Sequence, residues 1–459
     1  MTERISYDGV MAARIDRLPL TRVQWQLAIL VETTWGFIIF DTDGIGARLY
    51  PFVWRPAHVI DVLQYAVIQA LQVGLGILLG VYIMSWVADR YGRRPAILLA
   101  TFLGGICIWP FAYVTNFAGM VVLSVLSTLG VGGIVATHSV YLSEMTSPEV
   151  RNRVLLTSQG VTALVAVGVN LLAFAWIPGQ WRLFLWVSAL VEMVVLLPLL
   201  WRYLPESPRW LEAHGRHAEA ERIMGRYEKR CAAASGAPLP PPKLLLDRVI
   251  GAEGGSWTEL FVNPAYRGRT WLLIAVWLLA YAGLIYGVGA FAAVFMVDHG
   301  GGAHFVFLTI AIAYAALFVG FLVNARLGEQ VERRDVLFAM GLLFAAAWVV
   351  AWLVPNLWVI GAAYIVSRIG TGLFLFNLYN YTAVAYPTRI RSMAFAWTDG
   401  LGHLGAWAGV TLLGPLYTLG PNHLGWVLWI VVPGSLLPAL LIRYGGIRQS
   451  RAVLEQISV

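Results

Sequence analysis

Long apolar runs, each long enough to cross a bilayer, alternate with short polar stretches along almost the whole chain. About twelve of these runs are present, and they begin near residues 24, 60, 96, 118, 153, 182, 270, 304, 335, 356, 393 and 424. A helix needs roughly 20 mostly apolar residues to cross the hydrocarbon core of a bilayer. The pattern therefore predicts an all-α membrane protein with twelve transmembrane helices.

One long polar interruption, residues 204–268, divides the apolar runs into two groups of six. Residues 211–230 have the pattern of an amphipathic helix, and residues 232–243 have the composition of a flexible tether. The linker either only tethers the two bundles or takes part in gating. We predict a cytoplasmic N-terminus (1–23), an N-terminal six-helix bundle (24–203), a cytoplasmic linker with an amphipathic helix (204–268), a C-terminal six-helix bundle (270–446) and a cytoplasmic C-terminus (447–459).

The two groups of runs are related by a constant offset of 240 residues. The offset connects Asp89 to Glu329, Arg93 to Arg333, Arg94 to Arg334, Tyr141 to Tyr381, Arg151 to Arg391, Gly130 to Gly370 and Gly132 to Gly372. A single register without gaps indicates two copies of one unit joined head to tail. Two pseudo-symmetric membrane bundles with basic loops between helices are typical of a transporter.

Arginines cluster in alternate loops. They precede the first run and follow the second, fourth, eighth, tenth and twelfth, whereas the loops near residues 116, 178, 300 and 420 are nearly bare. Because basic loops remain on the cytoplasmic side, both termini are expected in the cytoplasm of a multi-pass protein of the cell (inner) membrane. The net charge of +7 therefore reflects topology and not a nucleic-acid-binding surface. The expected partners are the lipid bilayer and a small-molecule substrate, with no nucleic acid.

Composition supports the same class of protein. Of the 459 residues, 59% are hydrophobic and only 12% are charged, which excludes a soluble globular protein. The first 23 residues are polar and charged, so we expect no cleavable signal peptide. Cys107 lies inside an apolar run and Cys231 in the linker, and no spacing fits a metal site. We expect no metal and no cofactor, with a proton gradient as the energy source.

Three loop motifs resemble signatures of the major facilitator superfamily. Residues 85–94 (Ser-Trp-Val-Ala-Asp-Arg-Tyr-Gly-Arg-Arg) resemble the loop between helices two and three, with Ser85 in place of the usual glycine. Residues 141–144 (Tyr-Leu-Ser-Glu), followed by Arg151, resemble the signature after helix four. Residues 205–211 (Pro-Glu-Ser-Pro-Arg-Trp-Leu) resemble a motif after helix six that sugar porters, organic-ion transporters and synaptic-vesicle-glycoprotein-like proteins share. The resemblance implies the major facilitator fold and transport by alternating access.

The charges of these loops form a candidate gating network on the cytoplasmic side. Ion pairs there can hold the two halves together in one state and break in the other. The alternative is that they only set topology and stiffen the loops. The network consists of Asp89, Arg90, Gly92, Arg93, Arg94, Glu144, Arg151, Glu206 and Arg209 in the first half and the linker, with Glu329, Arg333, Arg334 and Arg391 in the second half. The second half has Val384 where the first has Glu144, so we expect the halves to contribute unequally.

Similarity within the superfamily extends to several branches. Residues 14–22, followed by a helix ending near Asp41, resemble the entry to metabolite:proton symporters. Asp41 with the following threonine also matches the first helix of sugar porters, and Gln159 matches their substrate-binding glutamine on helix five. The chain departs from sugar porters where residues 281–284 replace their helix-seven glutamine, and where Ser124 replaces their helix-four arginine.

Ionisable residues inside the apolar runs are functional candidates, because burying them in a membrane costs several kcal/mol. They are Glu32, Asp41, Asp43, Arg368 and Asp399, with His138, Glu192 and His403 as weaker candidates. Asp41 and Arg368 lie at similar depth in opposite halves, so they can form a pair across the cavity. Asp399 can instead reach Arg368, either as a functional pair or as a fixed link between helices ten and eleven. The proton-coupling candidates are Asp41, Asp399 and Glu32, since a carboxylate in a partly dry cavity can exchange a proton near neutral pH.

Other charged positions have simpler interpretations. Asp43 can pair with Arg48 at the periplasmic rim. Glu192 is interpreted as a packing or lipid-side residue, and His138 as a hydrogen-bonded interior histidine.

The pattern favours a proton-coupled symporter of a small organic metabolite, with an organic or aromatic acid preferred and Arg368 as its anchor. The substrate-binding candidates are Arg368, Gln159, Trp35, Tyr281, Tyr286, Asn377 and Asn380. We expect the protein to work as a monomer. The alternatives are an organic-cation or drug transporter, an exporter and a sugar porter. A membrane enzyme is disfavoured because no catalytic constellation is present. A transport-dead sensor is disfavoured because the gating motifs of the first half are intact.

Overall fold

The computed structural model of the chain consists of helices joined by short loops. It describes residues 10–38, 44–242, 257–327, 331–386, 388–420 and 422–448, and within these ranges the regular structure is entirely helical. Ten of the described helices are long and apolar enough to cross a membrane. Two further spans complete the twelve: the first, whose pieces lie on either side of residues 39–43, and the more polar eleventh. The predicted all-α membrane fold is confirmed.

The N-terminal bundle contains spans one to six. They are Arg22–Ile38 with Gly44–Leu49 (span one), Val62–Tyr91 (span two), Arg93–Phe111 (span three), Phe117–Glu144 (span four), Pro148–Trp176 (span five) and Trp181–Tyr203 (span six). The even-numbered spans end, and the odd-numbered ones begin, at the side of the molecule that carries the arginine clusters. We call this side the arginine-rich face and the other the opposite face.

The C-terminal bundle repeats this arrangement with spans seven to twelve. They are Pro264–Ile285, continued after a turn by Ala292–Asp298 (span seven), Ala303–Leu327 (span eight), Arg333–Leu353 (span nine), Leu357–Val384 (span ten), Thr388–Thr418 (span eleven) and His423–Gly445 (span twelve). Span five packs against span eight and span two against span eleven, so these four form the interface between the halves.

Span one continues into a π-helical turn at Tyr50–Trp54, and four further α-helices of the described residues lie outside the spans. They are Val10–Asp16, Pro208–Ala213, His217–Ser235 and Trp257–Val262. The stretch 211–230, predicted as one amphipathic helix, therefore belongs to two helices. The break falls at Gly215, whose φ of +71° lies in the left-handed region that ends helices.

Equivalent residues of the two halves make equivalent contacts, as the 240-residue offset predicts. The Tyr141 hydroxyl, at the end of span four, donates to the carbonyl of Pro205 just after span six at 3.0 Å. The hydroxyl of its repeat partner Tyr381, at the end of span ten, donates to the carbonyl of Ile447 just after span twelve at 3.1 Å. Each tyrosine therefore ties the fourth helix of its bundle to the end of the sixth.

Helix packing inside the bundles repeats in the same way. A Cβ added at Gly130 would lie 2.5 Å from the carbonyl oxygen of Ala100, and one at Gly370 would lie 3.4 Å from the carbonyl oxygen of Met340. The offset of 240 residues connects Gly130 to Gly370 and Ala100 to Met340. Backbone-to-backbone approach of the third and fourth helices is thus a shared feature of both halves, and it is closer in the first.

Candidate substrate site and gating contacts

A half-buried carboxylate, Asp399, lies on span eleven, inside the C-terminal bundle. The hydroxyl of Tyr281 donates to Asp399 Oδ1 at 2.6 Å, and it lies 3.3 Å from the hydroxyl of Tyr379. One turn further along span eleven, His403 donates from Nδ1 to the carbonyl of Asp399 at 3.1 Å, and its ring lies 4.5 Å from that of Tyr281. Asp399 is therefore surrounded by aromatic side chains that also offer hydrogen bonds.

A π-helical turn in span seven brings Tyr286 close to Tyr281, the tyrosine that contacts this carboxylate. The turn spans Tyr281–Ile285, and the backbone N–H of Tyr286 donates to the carbonyl of Tyr281 at 3.2 Å, five residues back. In an α-helix, residues five apart point in different directions, whereas the wider turn returns them to nearly the same face. The rings of Tyr281 and Tyr286 consequently lie 5.5 Å apart, and Tyr286 lies 6.5 Å from His403.

Arg368 lies on span ten between two tyrosine rings. Its Nε donates to the hydroxyl of Tyr364 at 3.0 Å. Its guanidinium carbon lies 5.1 Å from the ring centre of Tyr364 and 5.7 Å from that of Tyr314 on span eight. The C-terminal bundle therefore holds a cation in an aromatic setting, which is a suitable environment for binding a carboxylate.

Of the two partners that the sequence left open for Arg368, Asp41 lies outside the described residues, and no ion pair joins Arg368 to Asp399 within them. The reason is their difference in depth. Arg368 lies 16 residues before the end of span ten (384−368), about 24 Å from the arginine-rich face. Asp399 lies 11 residues after the start of span eleven (399−388), about 16 Å from that face. The bond to Tyr364, one turn nearer the opposite face, keeps the guanidinium away from Asp399.

Glu32 is fully buried in the N-terminal bundle. The hydroxyl of Thr162 donates to Glu32 Oε2 at 2.8 Å, and the hydroxyl of Ser158 lies 3.4 Å from Oε1. Both partners lie on span five. Span five therefore holds this proton-coupling candidate in place through two hydroxyl groups.

Trp35 and Gln159 meet at a histidine of span four. The ring of Trp35 stacks on that of His138, with ring centres 5.1 Å apart and an interplanar angle of 18°. His138 donates from Nδ1 to the carbonyl of Ile134, so its Nε2 is an acceptor, and Gln159 Nε2 lies 3.4 Å from it. Three helices of the N-terminal bundle thus contribute to one polar, aromatic cluster.

The remaining predicted residues lie elsewhere. Asn377 is buried and donates to Asn324 Oδ1 at 3.1 Å, which ties span ten to span eight, whereas Asn380 is half-buried one turn closer to the arginine-rich face. Glu192 is fully buried beside Gly105 of span three, which agrees with the packing alternative and not with the lipid-side one. Arg48 donates to Asn170 Oδ1 at 3.4 Å. The candidates Asp41, Asp43 and Glu329 lie outside the described residues.

At the arginine-rich face, Arg93 is the centre of an ionic cluster. It donates from Nη1 to Asp89 Oδ1 at 2.8 Å and from Nη2 to Glu144 Oε1 at 3.0 Å. Glu206 accepts the backbone N–H groups of Arg93 at 2.9 Å, Arg94 at 3.2 Å and Ser207 at 2.8 Å. Its carboxylate thus caps the N-terminus of span three, where the helix dipole favours negative charge.

Two opposing effects act on Glu206. Burial raises the pKa of its carboxyl, and the backbone N–H groups of Ser207, Arg94 and Arg93 lower it by a smaller amount, so that the pKa is raised overall. Gly92 makes the close approach possible: its φ is +118°, and a side chain there would overlap Glu206 Oε2.

In this conformation the cluster joins parts of the N-terminal half to one another. Its ion pairs connect spans two, three and four, and Glu206 connects them to the end of span six. Arg209 pairs with Asp16 at 2.8 Å, which fastens the N-terminal helix to the linker. Arg90 is exposed beside the ring of Trp86, and Arg151 is half-buried.

The described residues of the second half also make polar contacts at the arginine-rich face. Arg443, at the end of span twelve, pairs with Asp335, at the start of span nine, at 2.5 Å. Arg334 donates to the carbonyl of Gly446 at 3.4 Å, and Arg333 is half-buried at the start of span nine. Arg391 lies on span eleven, and its side chain is outside the described part of the structure.

Contacts between the halves close the opposite face. Arg55 pairs with Asp298 at 2.7 Å, and it is the ion pair that joins the two bundles among the described residues. The Tyr65 hydroxyl donates to the carbonyl of Ala290 at 2.5 Å. Sequence reasoning did not find these residues, because each lies in or near a loop without a motif and its partner is more than 200 residues away.

Known proteins share this architecture. The model of the family described as "Sugar (and other) transporter" matches residues 57–377, or 321 of the 459 residues (377−57+1). The chain belongs to this transporter family. Its members are transporters of the major facilitator superfamily and not enzymes, as the loop motifs predicted.

Individual relatives can be aligned with most of the chain. The 4-hydroxybenzoate transporter PcaK of Pseudomonas aeruginosa is 28% identical over 455 residues, which is 94% of this chain and 93% of the relative. Solute carrier family 22 member 16 of Xenopus laevis is 28% identical over 335 residues, 70% of this chain and 56% of the relative. The xylose transporter XylE of E. coli, in a partially occluded inward-open conformation, superimposes with a TM-score of 0.72 at 14% identity, covering 94% of this chain and 99% of XylE. The likeness to XylE confirms the predicted fold of twelve helices.

Proposed function

We propose that the protein is a proton-coupled symporter that carries a small organic acid, preferably an aromatic one, by alternating access. The observation that carries this proposal is the separation of two opposite charges inside one bundle. Arg368 lies between two tyrosine rings, whereas Asp399 is bonded to Tyr281 about 8 Å closer to the arginine-rich face. A guanidinium in this aromatic setting can bind the carboxylate of a substrate, and Asp399, at a different depth, can carry a proton.

Arg368 suits the role of an acid anchor. A guanidinium offers five N–H donors in a planar fork that matches the two oxygens of a carboxylate. The bond from its Nε to Tyr364 fixes the orientation of this fork. Tyrosine rings nearby can stack on an aromatic substrate, which agrees with the name of PcaK as a 4-hydroxybenzoate transporter.

Asp399 is our first choice for the proton carrier. Its carboxylate accepts a hydrogen bond from Tyr281, and that hydroxyl can rotate to accept one when the carboxyl is protonated. Glu32 is the second described candidate, since the hydroxyls of Thr162 and Ser158 can adapt to either form in the same way. Asp41 is the third and lies outside the described residues.

The charge asymmetry of the loops indicates how the protein is oriented in the membrane. We place the arginine-rich face and both termini in the cytoplasm, in the inner membrane. With this orientation the closed, opposite face is external, and the substrate would leave toward the cytoplasm. The proton gradient would supply the energy.

A second candidate function is the transport of organic cations. Asp399 with the rings of Tyr281, Tyr286 and His403 resembles a site for a positively charged ligand, because cations are attracted to aromatic faces. A relative from Homo sapiens named organic cation/carnitine transporter 2 makes an organic cation a reasonable comparison.

Uptake into liposomes tests both proposals. Purified protein is reconstituted with a pH-sensitive dye inside, a proton gradient is imposed, and labelled aromatic acids, sugars and amines are added in turn. We expect an aromatic acid to accumulate together with protons. Arg368→Ala should abolish its uptake, and Asp399→Asn should permit exchange of the acid without proton-driven accumulation. Arg153→Ala, which removes an exposed arginine near the start of span five, is the matched control.

The outcomes separate the candidates. Accumulation of an amine that is lost in Asp399→Asn and kept in Arg368→Ala would favour the cation transporter. Uptake of the acid that does not respond to the proton gradient would contradict symport.

A further inference from the structure

Span seven is interrupted beside Arg368. Its π-helical turn Tyr281–Ile285 is followed by an irregular turn over residues 286–291, and the helix resumes at Ala292–Asp298. Gly289 lies in this irregular turn. The guanidinium of Arg368, on span ten, reaches directly to it.

The contact leaves no space for a side chain at position 289. A Cβ added at Gly289 would lie 2.7 Å from Arg368 Nη2 and 3.7 Å from the guanidinium carbon. The next nearest atom, the carbonyl oxygen of Ile285, would be 3.5 Å away, an ordinary contact. Backbone conformation does not require glycine here, since the left-handed glycines of the chain are at other positions. The absence of a Cβ therefore matters because of the guanidinium alone.

Three spans thus define the place of the guanidinium. Tyr364 of span ten accepts from its Nε, Tyr314 of span eight presents its ring, and Gly289 of span seven contacts the Nη2 end. The first two contacts fix the proximal part of the group and its plane. Gly289 determines how far the fork extends toward span seven.

We infer that Gly289 is a positioning residue that sets the location of the Arg368 fork and thereby the acids it can bind. This inference rests on the proposed role of Arg368 as the anchor. A methyl group at position 289 pushes the flexible end of Arg368 aside and leaves the helices in place, because the atom it meets is the far end of a long side chain. A substrate carboxylate that accepted two hydrogen bonds from the guanidinium then accepts only one.

The test is a double-mutant cycle in reconstituted protein. Gly289→Ala is measured alone and together with Arg368→Lys, which keeps a positive charge but has no fork. The acid found in the uptake experiment is the probe, and KM and kcat are determined separately. Gly168→Ala on span five, where an added Cβ meets nothing within 4 Å, is the control for a glycine lost from a helix.

We expect Gly289→Ala to raise KM about tenfold, the effect of losing one charge-assisted hydrogen bond, with a much smaller change in kcat. In the Arg368→Lys background the same substitution should change KM less than twofold, since coupled residues are not additive. Thermal unfolding of Gly289→Ala should match that of Gly168→Ala.

Each other result has a definite meaning. An unchanged KM in Gly289→Ala, together with lost uptake in Arg368→Ala, overturns the inference and leaves the proposed function standing. An equal rise in KM in both backgrounds also overturns it, because Gly289 would then act without Arg368. Normal uptake by Arg368→Ala removes the anchor itself and the proposed function with it.

Discussion

The contacts that close the opposite face should control how often that face opens. Tyr65 is fully buried and donates to the carbonyl of Ala290 across the interface between the halves. Arg55 and Asp298 form an ion pair near the surface of the same region. Tyr65→Phe and Arg55→Ala each remove one of these contacts without emptying the core.

The two substitutions should differ in size. Tyr65→Phe leaves a buried carbonyl without its donor, which costs about 1–3 kcal/mol. The side chains of Arg55 and Asp298 are 39% and 18% exposed, so their pair contributes only about 0.2–1 kcal/mol. Because 1.4 kcal/mol is a factor of ten, Tyr65→Phe should raise the share of molecules open at this face about tenfold. Arg55→Ala should raise it by about fivefold at most.

Distances between spin labels can measure this shift. Labels at Ala57→Cys and Gly302→Cys report the separation of the halves, since both positions are exposed at the opposite face. The native Cys107 and Cys231 are buried, and they are replaced by serine in all samples so that they carry no label. The expected result is a second, longer distance whose population is larger in Tyr65→Phe than in Arg55→Ala.

Tyr113→Phe is the control, because Tyr113 is 61% exposed at the same face. The reasoning fails if Tyr65→Phe leaves the distance distribution like that of this control. It also fails if Arg55→Ala has the larger effect, since the buried contact would then not be the stronger one.

Four further predictions concern stability, measured as thermal unfolding in detergent. Burial raises the pKa of the Glu206 carboxyl. The protonated carboxyl therefore contributes to stability below its ordinary pKa, and this contribution is lost as the pH rises through the raised pKa. Glu206→Gln should remove this dependence of stability on pH. Burial raises the pKa of Glu228, but its ion pairs with Arg14 and Arg17 lower that pKa by more. Glu228→Gln should therefore remove a stability that is present above the ordinary carboxyl pKa and lost as the pH falls through the lowered one. An unfolding temperature that depends on pH equally in the variant and the unchanged protein would contradict either prediction. Gly92→Ala should cost about 2 kcal/mol more than Gly215→Ala, because both have positive φ but only the former meets a carboxylate; equal losses would count against this. Trp257→Ala should cost about 1 kcal/mol by removing a ring stacked on span eleven, and no change would show that the stacking is incidental.

Several parts of the fold could be derived from the order of residues alone. The length of the apolar runs predicts twelve helices, and the 240-residue offset predicts their division into two bundles. Local motifs also predict local contacts: Asp89 and Arg93 are four residues apart and form an ion pair across one loop. These features depend on neighbours in the chain or on repetition, and both can be counted along a sequence.

The partners of the charged residues that are distant in sequence could not be derived in this way. Asp399 and its donor Tyr281 are 118 residues apart, and Arg55 and Asp298 are 243 residues apart. A rise of 1.5 Å per residue gives the depth of a side chain but not which helix faces it. The π-helical turn after Tyr281 also shifts the face of every later residue in span seven, so a regular helical projection fails there.

Gly289 shows the limit most clearly. Its sequence neighbourhood contains several glycines and alanines and carries no motif. Only the packing of spans seven, eight and ten reveals that a guanidinium ends against it. Hydrophobicity along the chain determines which segments enter the membrane, because that free energy depends on each segment's own composition. The polar contacts inside the bundles depend on how helices rotate and pack against one another, and this is a property of the assembled fold.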